Sequence, residues 1–461
     1  MSNLGDKLKN VIAVLLLAGT LTACKNPALE HPGATAGATG WDFEPAILAR
    51  IKAPQFPARD FPITDFGAKG DGTTDCTEAI AKAIAACHAA GGGRVVARSG
   101  VFLTGAVHLL SNVNLHIAEG AMLQFAPDRA KYLPVVFTRF EGTECMNYSP
   151  LIYAFEQENI AVTGSGTLDG SGAQTWWGFK TGGAGGGPRK LIDEADRGVP
   201  VAERTFGEGG GLRPNFIQPY RCRNVLIENV RIINSPMWEI HPVLSTNVTV
   251  RGVRISSHGP NNDGCDPECS RDVLIENCVF DTGDDCIAIK SGKNADGRRV
   301  NVPSENIIVR GCTMKDGHGG VVVGSEVSGG VRNVFAENCK MDSPNLERIL
   351  RLKSNAERGG VIENVFMRNV EAGKVKVVLT IDLVYGRVET GPFPPVVRHV
   401  FMEHVTTADS PRVLDVVGTA RSVISDIHLG DCAFHGVRLE DTLVNAGEIA
   451  IHNVTREPAK Q

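Results

Sequence analysis

Short runs of alternating apolar and polar residues fill most of this chain, and from residue 224 onward they recur in register. Aligned on a turn residue, the runs begin at Asn224, Asn247, Asp272, Asn306, Asn333, Asn364, His399 and Asp426, at intervals of 23 to 35 residues. One position after each start stand Val225, Val248, Val273, Ile307, Val334, Val365, Val400 and Ile427. Three positions after stand Ile227, Val250, Ile275, Val309, Ala336, Met367, Met402 and Leu429. Six positions after stand Val230, Val253, Cys278, Cys312, Cys339, Val370, Val405 and Cys432. Period-two alternation marks a strand with one buried face. Its return in register at this interval stacks each strand on its counterpart in the next coil. The pattern predicts an all-β chain wound as a parallel β-helix, a solenoid. Asn112–Ile117 and Asn159–Asp169 fit the same pattern more loosely.

One segment departs from period two. Ala79, Ile80, Ala83, Ile84 and Cys87 recur at helical spacing, with Asp75 as the expected N-cap, Glu78 three residues on, and Gly91 to Gly93 as the stop. A lone amphipathic helix ahead of a solenoid predicts a cap over its open first coil. The 52 glycines and 24 prolines suit a chain of many turns. A net charge of −5 supplies no global basic field, so nucleic acid is not an expected partner and any anionic ligand needs a local cluster of Arg and Lys.

The N-terminus reads as an export signal. Lys7 and Lys9 precede an apolar run, Val11 to Ala23, that is too short to span a bilayer. Leu21-Thr22-Ala23-Cys24 resembles the bacterial lipoprotein box, with Cys24 as the lipidated residue. Residues 1–23 are then a signal peptide, and 24–58, rich in Pro, Gly and Ala, a lipidated flexible tether. Residues 59–461 form the solenoid, held at a membrane surface through the lipid anchor.

Cys278, Cys312, Cys339 and Cys432 share a column with valines and therefore read as core hydrophobes. No His and Cys spacing resembles a zinc site, and neither a metal nor a cofactor is expected. Cys265 and Cys269 flank a loop in which a local bridge is open to them. Eleven cysteines follow Cys24, an odd number that leaves at least one thiol unpaired within the chain.

Candidate chemistry lies at matching places in consecutive coils. Asp284 falls 12 residues after Asp272, and His318 falls 12 after Asn306. The two are therefore expected on adjacent rungs, about 4.8 Å apart along the axis. Asp285 follows directly, Asp263 lies one coil earlier, and Arg351 and Lys353 arrive from the coil after His318. A single turn aspartate is ordinarily a solvated corner. Here three carboxylates converge with an imidazole and two cations, and like-charged carboxylates this close are costly unless a ligand, a proton or a metal uses them.

Asn261-Asn262-Asp263, Gly283-Asp284-Asp285 continuing through Lys290, Gly317-His318-Gly319 and Arg351-Leu352-Lys353 resemble, in order and spacing, the four signature motifs of glycoside hydrolase family 28, the polygalacturonases. The resemblance runs from about Ile63 to about residue 440. It departs at Asn262, where the family usually has Thr, and at Leu352, where it usually has Ile. It implies a right-handed parallel β-helix and inverting hydrolysis of α-1,4 bonds between galacturonic acid residues of pectin. By that resemblance Asp284 is the general acid, its pKa raised by its neighbours, and Asp263 and Asp285 activate water. His318 tunes the acid. Arg351, Lys353, Tyr385, Lys290 and Asn261 bind substrate, with Tyr385 placed on a strand.

An insertion from about Ser171 to Pro214 carries Trp176 and Trp177, which are either buried anchors or a sugar-stacking wall, followed by two glycine-rich runs that form no nucleotide loop. As a wall at one end of a groove, it implies release of single sugars from a chain end, an exo mode. Trp238 to Val243 also resembles bacterial exo-acting members. An endo-acting or rhamnogalacturonan-directed relative, a calcium-dependent pectate lyase and a non-catalytic glycan-binding β-helix are the competing classes.

Overall fold

The computed structural model describes residues 40–181 and 186–458. Apart from the antiparallel pair Val136–Phe140 and Thr143–Asn147, its strands fall into three parallel columns. The first column carries the repeat, and its hydrogen-bonded register matches the sequence alignment residue for residue. Val225 pairs with Val248, Val273, Ile307, Val334, Val365, Val400 and Ile427 in turn, and Ile227 with Val250 through to Leu429. The second column runs from Asp71–Asp75 through Val279–Thr282 and Lys340–Met341, and continues in the second halves of the long strands Val361–Lys374, Val396–Asp409 and Val423–Phe434. The third runs from Val107–His108 through Ile287–Ile289 and Arg348–Lys353 to Thr442–Val444, bridged in its middle by the pairs Ile240 with Cys265 and Cys265 with Ile287. Inward side chains of all three columns fill one continuous apolar core. This is a parallel β-helix.

The residue that opens each first-column strand adopts a left-handed backbone, with φ between 56° and 60° from Asn224 to Asp426. Asn and Asp tolerate this conformation because a short polar side chain bonds locally. Here the bonds run between coils: Asn247 donates to Asn224 at 2.7 Å, Asn306 to Asp272 at 2.9 Å, and Asn333 to Asn306 and Asn364 to Asn333 at 3.0 Å. The looser segments Val113–Ile117 and Glu158–Thr163 pair in the same column.

Helix Thr77–Ala89 buries Ile80, Ala83, Ile84 and Cys87 against the first coil, as a cap should. Its N-cap is Cys76 rather than Asp75. The Asp75 carboxylate stands one residue outside, accepting from the Thr77 backbone N–H at 2.9 Å and from Lys131 at 2.6 Å, while Glu78 pairs with Lys82.

The tether is shorter than composition implies, because residues 40–58 belong to the fold. The turn Gly40–Phe43 and helix Glu44–Arg50 lie across the outer face of the first column, where Trp41, Ile47 and Ile51 bury against Leu274, Ile308, Phe335 and Phe366. Lys52 then bonds Asn247 through both its N–H and its carbonyl, at 2.7 and 2.8 Å. Those four outward positions are apolar, and outward residues of a strand that faces water are polar. The short helix supplies their cover. Residues 1–39, with Cys24 and the export signal, lie outside the described residues.

All eleven cysteines among the described residues are buried free thiols, so Cys265 and Cys269 form no bridge.

Candidate active site

The site occupies the outer face where second-column strands hand over to the third. Strand Val279–Thr282 ends, the chain turns at Gly283-Asp284-Asp285, and Ile287–Ile289 re-enters the sheet. One coil later the same handover presents His318. Its backbone N–H donates to the Asp284 carbonyl at 2.9 Å, and its Nδ1 lies 3.0 Å from Asp284 Oδ1, so the two are rung neighbours as their matched offsets predict. Asp263 stacks on Asp285 from the preceding coil, since Cys265 bridges Ile287 and Gly264 donates to the Asp285 carbonyl.

The loop carrying Asp263 is pegged by Asn262, which is fully buried. Its Oδ1 accepts from Ser257 at 2.7 Å and from Gly259 at 2.9 Å, and its Nδ2 donates to the carbonyls of Ser235 and Met237. Asn261 Oδ1 accepts from Arg213 at 2.6 Å, and Arg213 also binds the carbonyls of Pro236 and Pro260. Asn261 thus braces the loop rather than presenting that oxygen to a ligand.

Arg351 and Lys353 lie on strand Arg348–Lys353. Lys353 donates to Asp285 Oδ2 at 2.7 Å, and Arg351 reaches Asp285 Oδ1 only at 3.9 Å. Tyr385 sits in the turn Tyr385–Arg387, beyond the end of strand Val377–Asp382 on which the sequence pattern places it. Its ring still faces the site, 5.3 Å from Lys353 and 5.8 Å from Arg351.

Lys290 is not a surface contact for a ligand. It is 3% exposed, lies over the Trp238 ring at 4.4 Å, and sits within 3.7 Å of Asp263, 3.5 Å of Asp266 and 3.4 Å of Glu326. A buried ammonium needs carboxylate neighbours, and these hold its pKa well above the usual lysine range against the cost of burial.

Electrostatics reverse one sequence expectation. Burial pushes the Asp284 carboxyl up, but the His318 hydrogen bond and the charges of Lys353, His318 and Lys290 outweigh it and bring the group below the ordinary carboxylate range. His318 is correspondingly pushed up, chiefly by its bond to Asp284. Asp263 and Asp266 are the carboxyls held well above normal: burial dominates for both, Asp284 adds to it at Asp263 and Asp285 at Asp266, and Lys290 pulls the other way. Proton binding therefore shifts toward Asp263 and onto His318. Asp263 Oδ1 and Asp285 Oδ1 are buried and accept no hydrogen bond from the described residues.

The insertion is a buttress. Trp176 is fully buried, edge-on to Tyr132 at 5.4 Å and Tyr148 at 5.2 Å, which makes it an anchor. Trp177 donates to the Ser235 carbonyl and packs so closely on Gly259 that a Cβ there would fall 2.2 Å from its ring. A hairpin, Val136–Phe140 with Thr143–Asn147, brings its tip to the same region. There Glu141 meets Lys293 at 3.1 Å, and the Lys293 N–H donates to the Gly142 carbonyl.

Residues 203–455 match the family model described as glycosyl hydrolases family 28. The chain belongs to that family. Among solved structures it is similar to a hyperthermoactive exopolygalacturonase from Thermotoga maritima, at 47% identity and TM-score 0.87, covering 91% of this chain and 96% of that one. Curated relatives include a probable polygalacturonase of Vitis vinifera at 29% identity over 69% of this chain and an exo-poly-alpha-D-galacturonosidase of Dickeya chrysanthemi at 30% over 67%. An endo-polygalacturonase of Pectobacterium carotovorum matches at 30% over 71% of this chain and 76% of its own length. The chain spans 62% of the Vitis relative's length and 54% of the Dickeya relative's. As a family 28 chain it keeps the acidic triplet, the histidine and the basic pair at one place on the solenoid. Sequence reasoning missed Asp266, Glu326 and Arg213, whose part in the site comes from burial against it rather than from any motif.

Proposed function

We propose that this chain hydrolyses α-1,4 bonds of polygalacturonate with inversion, releasing galacturonate from a chain end, most directly the non-reducing end. The observation that carries the chemistry is the pair of buried, unpartnered oxygens on Asp263 and Asp285, one rung apart and next to the Asp284–His318 pair. The two oxygens can hold and deprotonate an attacking water, and the Asp284–His318 pair delivers the proton to the leaving oxygen. Water activation moves a proton toward Asp285 or Asp263 as the glycosidic bond breaks. Lys353 pairs with Asp285 at 2.7 Å and positions its carboxylate, while Arg351 keeps donors for a sugar carboxylate.

Support for the exo mode is the likeness to the Thermotoga exopolygalacturonase and the Glu141 hairpin tip beside Lys293 and Glu326, at the edge of the site. Asp284, Asp285 and His318 also offer atoms within 4.8 Å of one another, the arrangement a cation would need. Lys353 and His318 already neutralise two of those groups, which favours hydrolysis over calcium-dependent elimination. Incubation with polygalacturonate in EDTA separates the classes. Saturated monogalacturonate with little early loss of viscosity is expected. Unsaturated products that vanish with EDTA mean a lyase, an early ladder of oligomers means an endo mode, and binding without product means a glycan-binding module.

We also propose export and anchoring through Cys24, supported by the Leu21-Thr22-Ala23-Cys24 sequence. Fatty-acid labelling should be lost in Cys24→Ser, and label retained in that variant overturns the anchor.

A further inference from the structure

Lys353 is followed by a loop that returns to the site it has just left. Asn355 Oδ1 accepts from the N–H groups of Glu357 and Arg358, both at 3.0 Å, and Ser354 Oγ donates to the Gly359 carbonyl at 2.7 Å. From outside, Arg298 clamps the loop through the carbonyls of Glu357 and Arg358, at 2.9 and 3.2 Å. The same loop holds the backbone of Tyr385 on both sides. Tyr385 N–H donates to the Ser354 carbonyl at 3.1 Å, and Asn355 Nδ2 donates to the Tyr385 carbonyl at 3.0 Å. Arg358 and Tyr385 are therefore parts of one braced unit, fixed relative to the strand that carries Arg351 and Lys353.

The Arg358 guanidinium lies 5.7 Å from the Tyr385 ring centre, making it the third cation about that ring. Neither Arg358 nor Arg351 makes a side-chain hydrogen bond to any described residue. Their nearest carboxylates are 3.7 Å away at Glu326 and 3.9 Å away at Asp285, and the Nε of each is buried without a partner. Glu326 is already shared among Lys290, Lys293 and Arg358 and is held well below the ordinary carboxylate range: burial raises it, and the three cations together outweigh burial. Like charges collected on one ring repel, and two guanidinium forks without acceptors forgo the bonds that would offset this. An anionic ligand removes both costs at once.

We propose that Arg358 is a substrate-binding residue that grips a carboxylate of the bound galacturonide, forming with Arg351 a pair of forks about the Tyr385 ring. The loop pre-sets the fork, so little side-chain entropy is lost when the acid arrives. The role rests on the galacturonide-hydrolase reading given above and extends it to a residue outside the four motifs.

The test compares wild-type protein with Arg358→Met and Arg358→Lys on trigalacturonate, measuring kcat and KM across a range of salt concentrations, with thermal melting as the check on fold. For Arg358→Met, KM should rise about 10- to 100-fold with kcat changed by less than about threefold, as expected for a lost charge-assisted hydrogen bond. KM should also depend less steeply on salt. Arg358→Lys keeps the charge without the fork and should fall between; if Arg358→Met does not fold, the raised KM of Arg358→Lys is the readout. Unchanged KM in the folded variants, or a fall in kcat with KM unmoved, overturns the proposal. Should wild-type protein fail to cleave trigalacturonate, the galacturonide reading itself falls, and that outcome is distinct from an active wild type with indifferent variants.

Discussion

His318 is bonded to Asp284 twice, through its ring at 3.0 Å and through its backbone N–H to the Asp284 carbonyl at 2.9 Å. The backbone bond is the solenoid register and persists whatever the side chains do. The ring bond is chemistry, and it draws the two pKa values apart, Asp284 down and His318 up.

Between those two values the pair holds one proton. If that proton goes to the leaving oxygen, kcat/KM must fall as pH rises through the raised His318 value. Replacing the imidazole in His318→Gln leaves the proton on Asp284 alone, where it dissociates at lower pH. The basic limb of the pH profile should then move acidward by at least about one unit. An unmoved basic limb would separate His318 from the acid.

Asp263 is 2% exposed and burial raises the pKa of its carboxyl, so the fold binds its proton more tightly than the unfolded chain does. Stability from this group is fully present below the unfolded value of about 3.9 and is lost as pH climbs toward the raised folded value. Asp263→Asn removes the loss. Lys290 keeps Asp266 and Glu326 as partners, so no cation is stranded. Melting at neutral pH should rise by roughly a few degrees, with no gain near pH 3 and with activity lost. A lower melting temperature at neutral pH would contradict the placement of that charge.

Arg351 and Lys353 should fail differently. Lys353→Met strands Asp285, which is 1% exposed, and should cost about 3 kcal/mol of stability besides activity. Arg351→Ala loses a 3.9 Å contact to Asp285 and a distant approach to the Tyr385 ring, and should leave stability nearly intact while raising KM for galacturonides. Denaturant unfolding alongside kinetics distinguishes the two, and equal stability losses would count against this division of labour.

Much of this was legible in the chain because a solenoid turns sequence spacing into spatial adjacency. A strand repeat fixes register, register puts Asp284 beside His318, and neither step requires long-range packing to be known. Legibility stopped where contacts cross coils without a repeat. Lys290 looks like a motif residue free to bind sugar, yet Asp263 and Asp266 from the coil before it and Glu326 from the coil after it surround it in the interior. The segment from Trp41 to Ile51 looks like a tether because its proline-flanked helix is short, and only the apolar outward positions Leu274, Ile308, Phe335 and Phe366 hint at what it covers. The direction of the Asp284 shift depended on whether His318 or the neighbouring carboxylates dominate, which distance and orientation decide. Trp176 and Trp177 are adjacent in sequence and divide into a core anchor and a brace for the Gly259 turn.

The measurement that bears most directly on the central claim is turnover of polygalacturonate by Asp284→Asn. Asn nearly preserves the shape of the Asp284 side chain and removes the titrating group. With unchanged melting and circular dichroism, turnover should fall on the order of 100- to 10,000-fold, the range for loss of acid–base catalysis. Near-normal turnover in a folded Asp284→Asn protein would contradict the account.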